Sequence, residues 1–300
     1  MGGHDSGISG FAYRVVAVGG TRYRVGVAGD GPPVLLLHGF PQTHWCWRGV
    51  APGLADGGSR GRTVVVCDLK GYGSSRGAAP GPQGEGYSNR DRAAELLALM
   101  AALGHERFAV VGHDRGARVA YRMALDHPLV VERLCVLNVV PTVEQFQRMG
   151  DAPASDFWPW FLLAQPPDFV ARLLAPPNGE LAVRHALASW AARPDAIAPE
   201  DAERYVRAFT PEALAGICAD YRAAMAFDRA HDAEDRAAGR RIACPVLVHW
   251  GAAEDPSPEG PLPVWRRWAG EVCGAPLPGG HFVPEEAPAK LLASLRKFLS

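Results

Sequence analysis

The stretch FAVVGHDRG, from Phe108 to Gly116, decides the fold class that this sequence predicts. An apolar run typical of a buried strand leads straight into a Gly-X-Asp-X-Gly turn, and a helical pattern follows it. The two glycines, Gly112 and Gly116, let the backbone turn sharply, so the side chain of Asp114 should stand exposed above a sheet. This is the context of a nucleophile elbow, with aspartate where serine usually stands. An ordinary Gly-Asp turn that caps a helix is the simpler interpretation of the same residues.

Other apolar runs place more buried strands around this one. The predicted strands are Val34–His38, Thr63–Cys67, Phe108–Gly112, Leu134–Val139 and Pro245–Trp250, with a last short strand before Gly279-Gly280-His281. Helices are predicted from Ser88 to Leu103, from Arg118 to Leu125 and from Pro288 to Leu299. Strands that alternate with helices predict a mostly parallel central sheet with helices on both faces, which is an α/β fold class.

The strand pattern stops after Pro141 for about a hundred residues. Sequence rich in Trp, Pro and Ala replaces it and continues as helical stretches to Ala238. We therefore expect an inserted helical cap. The predicted division is a first part of the core at residues 1-142, the cap at 143-240 and a second part of the core at 241-300.

Composition excludes several classes of function. The 300 residues are 48% hydrophobic and 21% charged, which suits a globular protein with a large core. Since 31 Lys and Arg face 32 Asp and Glu, no broad field exists to hold nucleic acid or an anionic membrane. We expect a cytoplasmic protein with free, buried cysteines, a small-molecule substrate and no metal or organic cofactor. The oligomeric state stays open, with a homodimer as one option.

Two more segments complete the predicted chemistry of the elbow. His281 follows a Gly-Gly pair after the last predicted strand, where this kind of fold carries its general base. The segment HGFP follows the first predicted strand, and the backbone N–H groups of Phe40 and Arg115 are candidates for an oxyanion hole. One histidine alone proves little. Oxyanion loop, nucleophile and histidine in this chain order, each at a strand end, rarely arise by chance.

An aspartate nucleophile restricts the reaction. A carboxylate attacks amide and ester carbonyls poorly, but it displaces a leaving group from an sp³ carbon and forms an alkyl ester. Water deprotonated by His281 would then attack the carbonyl of Asp114. The sequence therefore favours dehalogenation or epoxide opening over peptide or ester hydrolysis.

Taken together, HGFPQTHWCW, DLKGYGSS, VVGHDRGARVAYRMALDHP, DYRAA and PGGHF resemble the fluoroacetate and haloacetate dehalogenases of the α/β-hydrolase superfamily. The resemblance covers nearly the whole chain. It implies an α/β-hydrolase fold, Asp114 as the nucleophile, and Arg115 and Arg118 as a clamp on the substrate carboxylate. Two guanidinium groups on the first turn of a helix whose N-terminus faces the pocket suit that task. Salt bridges at the surface are the alternative for both arginines.

The resemblance also implies a halide pocket in the cap, with Trp160 and Tyr221 at the positions of the family's Trp and Tyr. Indole N–H and phenol O–H groups can donate to a departing halide, although such residues serve as core residues at least as often. The chain departs from the family just before this Trp, where Pro159 replaces a histidine. Proline has no donor to offer.

A second departure concerns the acid that orients His281. The family carries an aspartate after the sixth strand, and this chain has Asn138 there. Many α/β-hydrolases place the acid after the next strand instead, where this chain offers Glu254 and Asp255. A polar turn ahead of a proline is the alternative for these two residues.

Three functions follow from these residues. The leading prediction is hydrolysis of short 2-haloacids of the haloacetate type to 2-hydroxyacids. The second is epoxide hydrolysis by the same nucleophile and base, for which the cap offers only Tyr205 and Tyr221 as acids. The third is a non-catalytic pocket protein, suggested by Asn138 and Pro159.

Overall fold

The computed structural model describes residues 7–58, 61–151, 157–255 and 260–300. Its strands are β1 (Ala12–Val18), β2 (Thr21–Ala28), β3 (Pro33–Leu37), β4 (Thr63–Cys67), β5 (Phe108–His113), β6 (Val131–Leu137), β7 (Val246–Gly251) and β8 (Val272–Leu277). They form one eight-stranded sheet in the order β1-β2-β4-β3-β5-β6-β7-β8. The pairs of β1 with β2 and of β2 with β4 are antiparallel, and all the others are parallel. The predicted mostly parallel sheet is confirmed.

Helices cover both faces of the sheet, as predicted. They are α1 (Ala51–Ala55), α2 (Asn89–Ala102), α3 (Arg115–Asp126), α4 (Thr142–Asp151), α5 (Trp158–Leu162), α6 (Pro167–Leu173), α7 (Asn178–Trp190), α8 (Pro199–Ala208), α9 (Pro211–Ala223), α10 (Arg229–Ala237), α11 (Leu262–Trp268), α12 (Val283–Glu286) and α13 (Pro288–Leu299). Alternate residues of a strand point to opposite faces. Leu35 and Leu37 accordingly join the apolar layer that contains Leu96 of α2, whereas Leu36 joins the layer that contains Leu295 of α13.

Several predicted boundaries change. Helix α3 begins at Arg115 and not at Arg118, directly after the turn. Strand β6 ends at Leu137, because Asn138 takes a positive φ of 61° and turns the chain away from the sheet. The predicted cap of α2 is confirmed, since Ser88 Oγ accepts a hydrogen bond from the backbone N–H of Asp91 at 3.1 Å.

The amino-terminal hairpin of β1 and β2 was not among the predicted strands. Gly19 and Gly20 both take a positive φ and connect the two strands. Strand β1 lies at the edge of the sheet and is half-buried to exposed along its length. It therefore lacks the continuous apolar run that marks the buried strands.

Between β6 and β7 the described elements are helices joined by loops, from α4 to α10, with a π-helical turn at Ala224–Asp228. This insertion contacts the rest of the chain directly: Trp190 accepts a hydrogen bond with its carbonyl oxygen from the backbone N–H of His281 at 2.8 Å. The division at residues 143 and 240 into core and cap stays a prediction. Among the described residues, no helix combines the length and apolar character needed to span a membrane.

The cysteines are free thiols, and five of the six are buried. Cys273 is exposed, which corrects the expectation that all of them are buried. It lies on β8, the edge strand opposite β1, where alternate side chains face solvent.

Candidate active site

Asp114 lies at the top of the sharp turn between β5 and α3. Its backbone has φ 47° and ψ −116°, a strained conformation for any residue other than glycine. A Cβ atom on Gly112 would come within 2.4 Å of the Cα of Ala117, and one on Gly116 within 2.4 Å of the carbonyl oxygen of His38. Both glycines are therefore needed to bring helix and strand this close.

One carboxylate oxygen of Asp114 is held by the HGFP loop. The backbone N–H of Phe40 donates to Oδ1 at 2.8 Å. A Cβ on Gly39 would stand 2.3 Å from the same oxygen, so only glycine fits beside it. Oδ2 faces His281, whose Nε2 lies 3.8 Å away. The backbone N–H of Arg115, the second predicted oxyanion donor, follows at the first position of α3.

The structure places Glu254 behind the imidazole of His281. Nδ1 of His281 lies 2.8 Å from Glu254 Oε1. Asn138 donates from its amide to Glu254 Oε2 and to the carbonyl oxygen of Gly280, the latter at 3.3 Å. Asp255, the other predicted candidate, accepts a hydrogen bond with its backbone carbonyl from the Trp250 indole at 3.2 Å. Asn138 therefore contacts the acid and does not replace it.

The charges of these three groups depend on one another. Burial alone lowers the pKa of His281, but the carboxylates of Glu254 and Asp114 raise it to about 8. Burial acts the opposite way on Asp114 and Glu254, yet His281 brings the pKa of each below its usual value. Both carboxylates are therefore ionised at neutral pH, as a carboxylate nucleophile requires.

Arg115 is held by an acid that the sequence analysis missed. Its Nε donates to Asp220 Oδ2 at 2.9 Å and its Nη2 donates to Asp220 Oδ1, with both side chains fully buried. Arg92 donates to the same carboxylate, and the Tyr72 hydroxyl donates to it at 2.8 Å. Nη1 of Arg115 has no hydrogen-bond partner within the described part of the chain. Asp220 directly precedes Tyr221 in the quoted segment DYRAA, which was the available signal.

Arg118 has no such acid. Its Nη1 donates to the carbonyl oxygen of Val140 at 3.1 Å, and its Nη2 donates to Gln145 Oε1 at 3.4 Å. Its Nε has no partner among the residues that the structure describes, and none of their carboxylates forms an ion pair with it. The side chain is buried, with 2% of the residue exposed. Burial and the neighbouring charge of Arg115 lower the pKa of Arg118.

The two predicted halide donors lie together beside these arginines. The rings of Trp160 and Tyr221 meet edge to face with centroids 5.5 Å apart, and the guanidinium carbon of Arg115 lies 4.9 and 4.6 Å from them. Pro159 lines the same cavity. Tyr205, the other tyrosine considered for epoxide chemistry, points elsewhere and donates to Glu285 Oε1 at 2.5 Å.

One cavity of about 520 Å³ lies under the helical insertion, and it is lined by Asp114, Arg118, Trp160, Tyr221, Glu254 and His281. Its lining residues do not include Arg115, Phe40, Asp255, Asp220 or Tyr205. Asp114 and His281 lie on its sheet side, and Trp160 and Tyr221 on its helical side. No group of three or more His, Cys, Asp or Glu residues suited to a metal ion occurs in the described ranges.

Comparison with known proteins gives consistent matches. Residues 32–288 match the family described as the alpha/beta hydrolase fold. A fluoroacetate dehalogenase from a Burkholderia species is 39% identical over 97% of this chain and 94% of its own length. A soluble epoxide hydrolase from Corynebacterium sp. (strain C12) is 30% identical, over 94% of this chain and 95% of its own.

One solved structure resembles the chain over 98% of its length. It is a mutant of a Pseudomonas aeruginosa protein provisionally described as an epoxide hydrolase, with MFA bound. The two share 43% sequence identity with a TM-score of 0.90, and 97% of the Pseudomonas chain is covered.

Proposed function

The chain belongs to the alpha/beta hydrolase family as a fluoroacetate dehalogenase-like member, and on that premise we propose that it hydrolyses the carbon–halogen bond of short 2-haloacids. The products are the 2-hydroxyacid and a halide ion. The proposal requires an anionic substrate, an aspartate nucleophile and a base that activates water.

The observation that carries the proposal is the buried charge of Arg118. A buried cation that forms no ion pair with any described residue is costly, and binding an anion lowers that cost. The cavity that Arg118 lines also contains the Asp114 carboxylate, which excludes most anions by repulsion. A 2-haloacid satisfies both groups, because its carboxylate pairs with Arg118 while its uncharged C2 faces Asp114.

The first step is a displacement at C2. Asp114 Oδ2 forms a bond to C2 as the carbon–halogen bond breaks on the opposite side, and the electron pair leaves with the halide. Trp160 and Tyr221 donate hydrogen bonds to the departing ion. The enzyme then carries an alkyl ester on Asp114, and the configuration of C2 is inverted.

The second step removes the ester. His281 Nε2 takes a proton from water, and the resulting hydroxide attacks the carbonyl carbon of Asp114. The charge that develops on Oδ1 is held by the N–H of Phe40, which donates to that oxygen in the free enzyme at 2.8 Å. Glu254 stabilises the imidazolium that forms. The bond from the carbonyl carbon to Oδ2 breaks, and the imidazolium of His281 gives its proton to the leaving oxygen, so that Oδ2 becomes the hydroxyl of the product. The oxygen of water stays on Asp114, which releases a proton to solvent and becomes a carboxylate again.

Epoxide hydrolysis uses the same nucleophile and base but needs an acid for the epoxide oxygen. Tyr221 lines the cavity and is available for this role. Tyr205 is committed to Glu285 and does not line it. Among the described residues, Tyr221 is the one tyrosine that lines the cavity, and Arg118 forms no ion pair. Both observations favour an acid substrate over a neutral epoxide.

The proposal is tested by incubation with chloroacetate, fluoroacetate and styrene oxide, followed by halide and diol release. We expect halide release from haloacids, none from an Asp114→Ala variant, and little diol. In a His281→Asn variant the intact protein should gain the mass of one carboxymethyl group on Asp114, because the ester forms and is not hydrolysed. A wild type that makes diol but releases no halide would assign the chain to epoxide hydrolysis instead.

A further inference from the structure

The cavity extends well beyond the groups that a haloacetate would occupy. A molecule with five heavy atoms fills about 150 Å³ if each heavy atom takes the ~30 Å³ that a water occupies in the liquid. The cavity measures about 520 Å³. Most of its space is therefore left when Arg118 binds a carboxylate and Asp114 faces C2.

Aromatic rings line the remaining space. The ring of Trp190 lies 5.4 Å from that of His281, between centroids, and Trp158 lies 6.1 Å from Trp190. The imidazole of His185 is 6.1 Å from Trp158 in turn. These rings all line the cavity, so its wall continues from the catalytic histidine outward without a break. We call Trp158, His185, Ser189 and Trp190 the aromatic wall.

The aromatic wall combines half-buried indoles with an exposed polar rim. Trp158 and Trp190 are partly exposed, whereas His185 and Ser189 are exposed. Large aromatic surfaces that face an open cavity are the usual means of binding flat apolar groups, because ring stacking adds to the gain from apolar burial. None of the four side chains has a task in the proposed displacement and hydrolysis.

The geometry points to a subsite for a substituent on C2, and we infer that the enzyme takes 2-halo-2-arylacids. This inference rests on the proposed function. At a tetrahedral C2, the carboxylate binds Arg118, the halogen faces Trp160 and Tyr221, and two positions remain. A haloacetate carries hydrogen at both. An aryl group at one of them can lie along the aromatic wall.

Such a substrate has a stereocentre at C2. The displacement inverts this centre, and hydrolysis breaks the bond between Oδ2 and the carbonyl carbon of Asp114, so the inverted C2–O bond is kept. In the opposite enantiomer the aryl group and the hydrogen exchange places on C2, so the aryl group would point away from the aromatic wall. The enzyme should therefore consume one enantiomer and release its inverted hydroxyacid.

The experiment compares chloroacetate, 2-chloropropionate and racemic 2-chloro-2-phenylacetate. We expect kcat/KM to be at least tenfold higher for the phenyl acid than for 2-chloropropionate, and conversion of the racemate to stop near one half. Chiral chromatography should show one hydroxyacid enantiomer, inverted from the consumed chloroacid. Turnover of chloroacetate without turnover of the phenyl acid would overturn the subsite and leave the proposed function intact. If no haloacid releases halide, the proposed function itself fails.

A bulky variant links this preference to the aromatic wall. Ser189→Phe narrows the outer part of the cavity and should lower the ratio of phenyl acid to chloroacetate kcat/KM at least tenfold. Leu181→Phe is the matched control, because Leu181 is exposed on the same helix and does not line this cavity. It should leave the ratio unchanged. An unchanged ratio in Ser189→Phe would show that the outer space is only an entrance.

Discussion

Replacing Arg118 by methionine tests the carboxylate clamp most directly. Methionine keeps much of the volume of arginine but removes the charge. Arg115 is less suitable for this test, because removing it would leave the buried Asp220 with Arg92 as its remaining cationic partner. Removing Arg118 leaves no acid unpaired, since none in the described ranges pairs with it.

The expected loss follows from the donors that remain. The two arginines have two N–H groups without a partner among the described residues, Nε of Arg118 and Nη1 of Arg115. The variant removes one of them together with a full charge. Truncating one partner of a buried charge pair costs about 2 to 5 kcal/mol. We expect the lower part of this range, about 2 to 3 kcal/mol, since exposed residues such as Ser189 open the cavity to solvent. At 1.36 kcal/mol per decade this is roughly a 30- to 150-fold loss of kcat/KM.

The assay pairs chloroacetate with chloroacetamide, which has a similar shape and no charge. In Arg118→Met, kcat/KM for chloroacetate should fall by the expected factor, while kcat/KM for chloroacetamide should change less than about threefold. Arg184→Met is the control, because Arg184 pairs with Glu180 and Glu203 on the exposed side of the helical insertion. This control variant should leave kcat/KM unchanged for both substrates. Equal losses for both substrates in Arg118→Met, with an unchanged melting temperature, would refute the clamp.

Other predictions concern the base and the leaving group. Glu254→Gln should lower kcat by about 10²- to 10⁴-fold, as loss of the orienting acid does in related triads, whereas Asp255→Asn should change it less than about twofold. Asn138→Asp should turn over more slowly than wild type, because it places a second carboxylate against Glu254. Faster turnover would show that residue 138, and not Glu254, is the better position for the acid that orients His281. In the free enzyme, NMR titration of His281 should give a pKa near 8, and the rate of ester hydrolysis should fall only at lower pH, because the ester removes the negative charge of Asp114. Equal midpoints for the NMR titration and for the pH dependence of ester hydrolysis would show that the charge of Asp114 does not control the pKa of His281. Wild type should release chloride faster than fluoride, and Pro159→His should raise the ratio of fluoroacetate to chloroacetate turnover, since fluoride depends most on donated hydrogen bonds; a wild type that prefers fluoroacetate would show that the histidine is not required.

Local patterns in the sequence predicted the elements that position Asp114 and His281. The strand predicted before Asp114 and the helix predicted at Pro288–Leu299 have nearly the same bounds in the structure, because strand and helix periodicity are local properties. The hairpin of β1 and β2 was missed, because an edge strand exposes most of its residues and gives no strong apolar signal.

The sequence narrowed the orienting acid to two residues and could not choose between them. Glu254 and Asp255 are neighbours in one turn, and which side chain faces the imidazole depends on the backbone angles of that turn. Asp220 escaped notice for a different reason. Its partner Arg115 lies 105 residues away in the sequence, and no local pattern encodes such a contact. Both outcomes depend on how the helical insertion and the loops fold over the sheet.

The pKa of His281 links the two steps of the proposed mechanism. A value near 8 would leave the imidazole protonated at neutral pH, which stabilises the Asp114 carboxylate in the free enzyme but prevents the imidazole from acting as a base. Alkylation of Asp114 converts the carboxylate into a neutral ester. One of the carboxylates that raise the pKa of His281 is then lost, while burial, which lowers it, remains. The pKa of His281 therefore falls once the ester has formed, and the imidazole releases its proton at the stage when a base is needed. On this argument, the displacement itself converts His281 into the form that activates water.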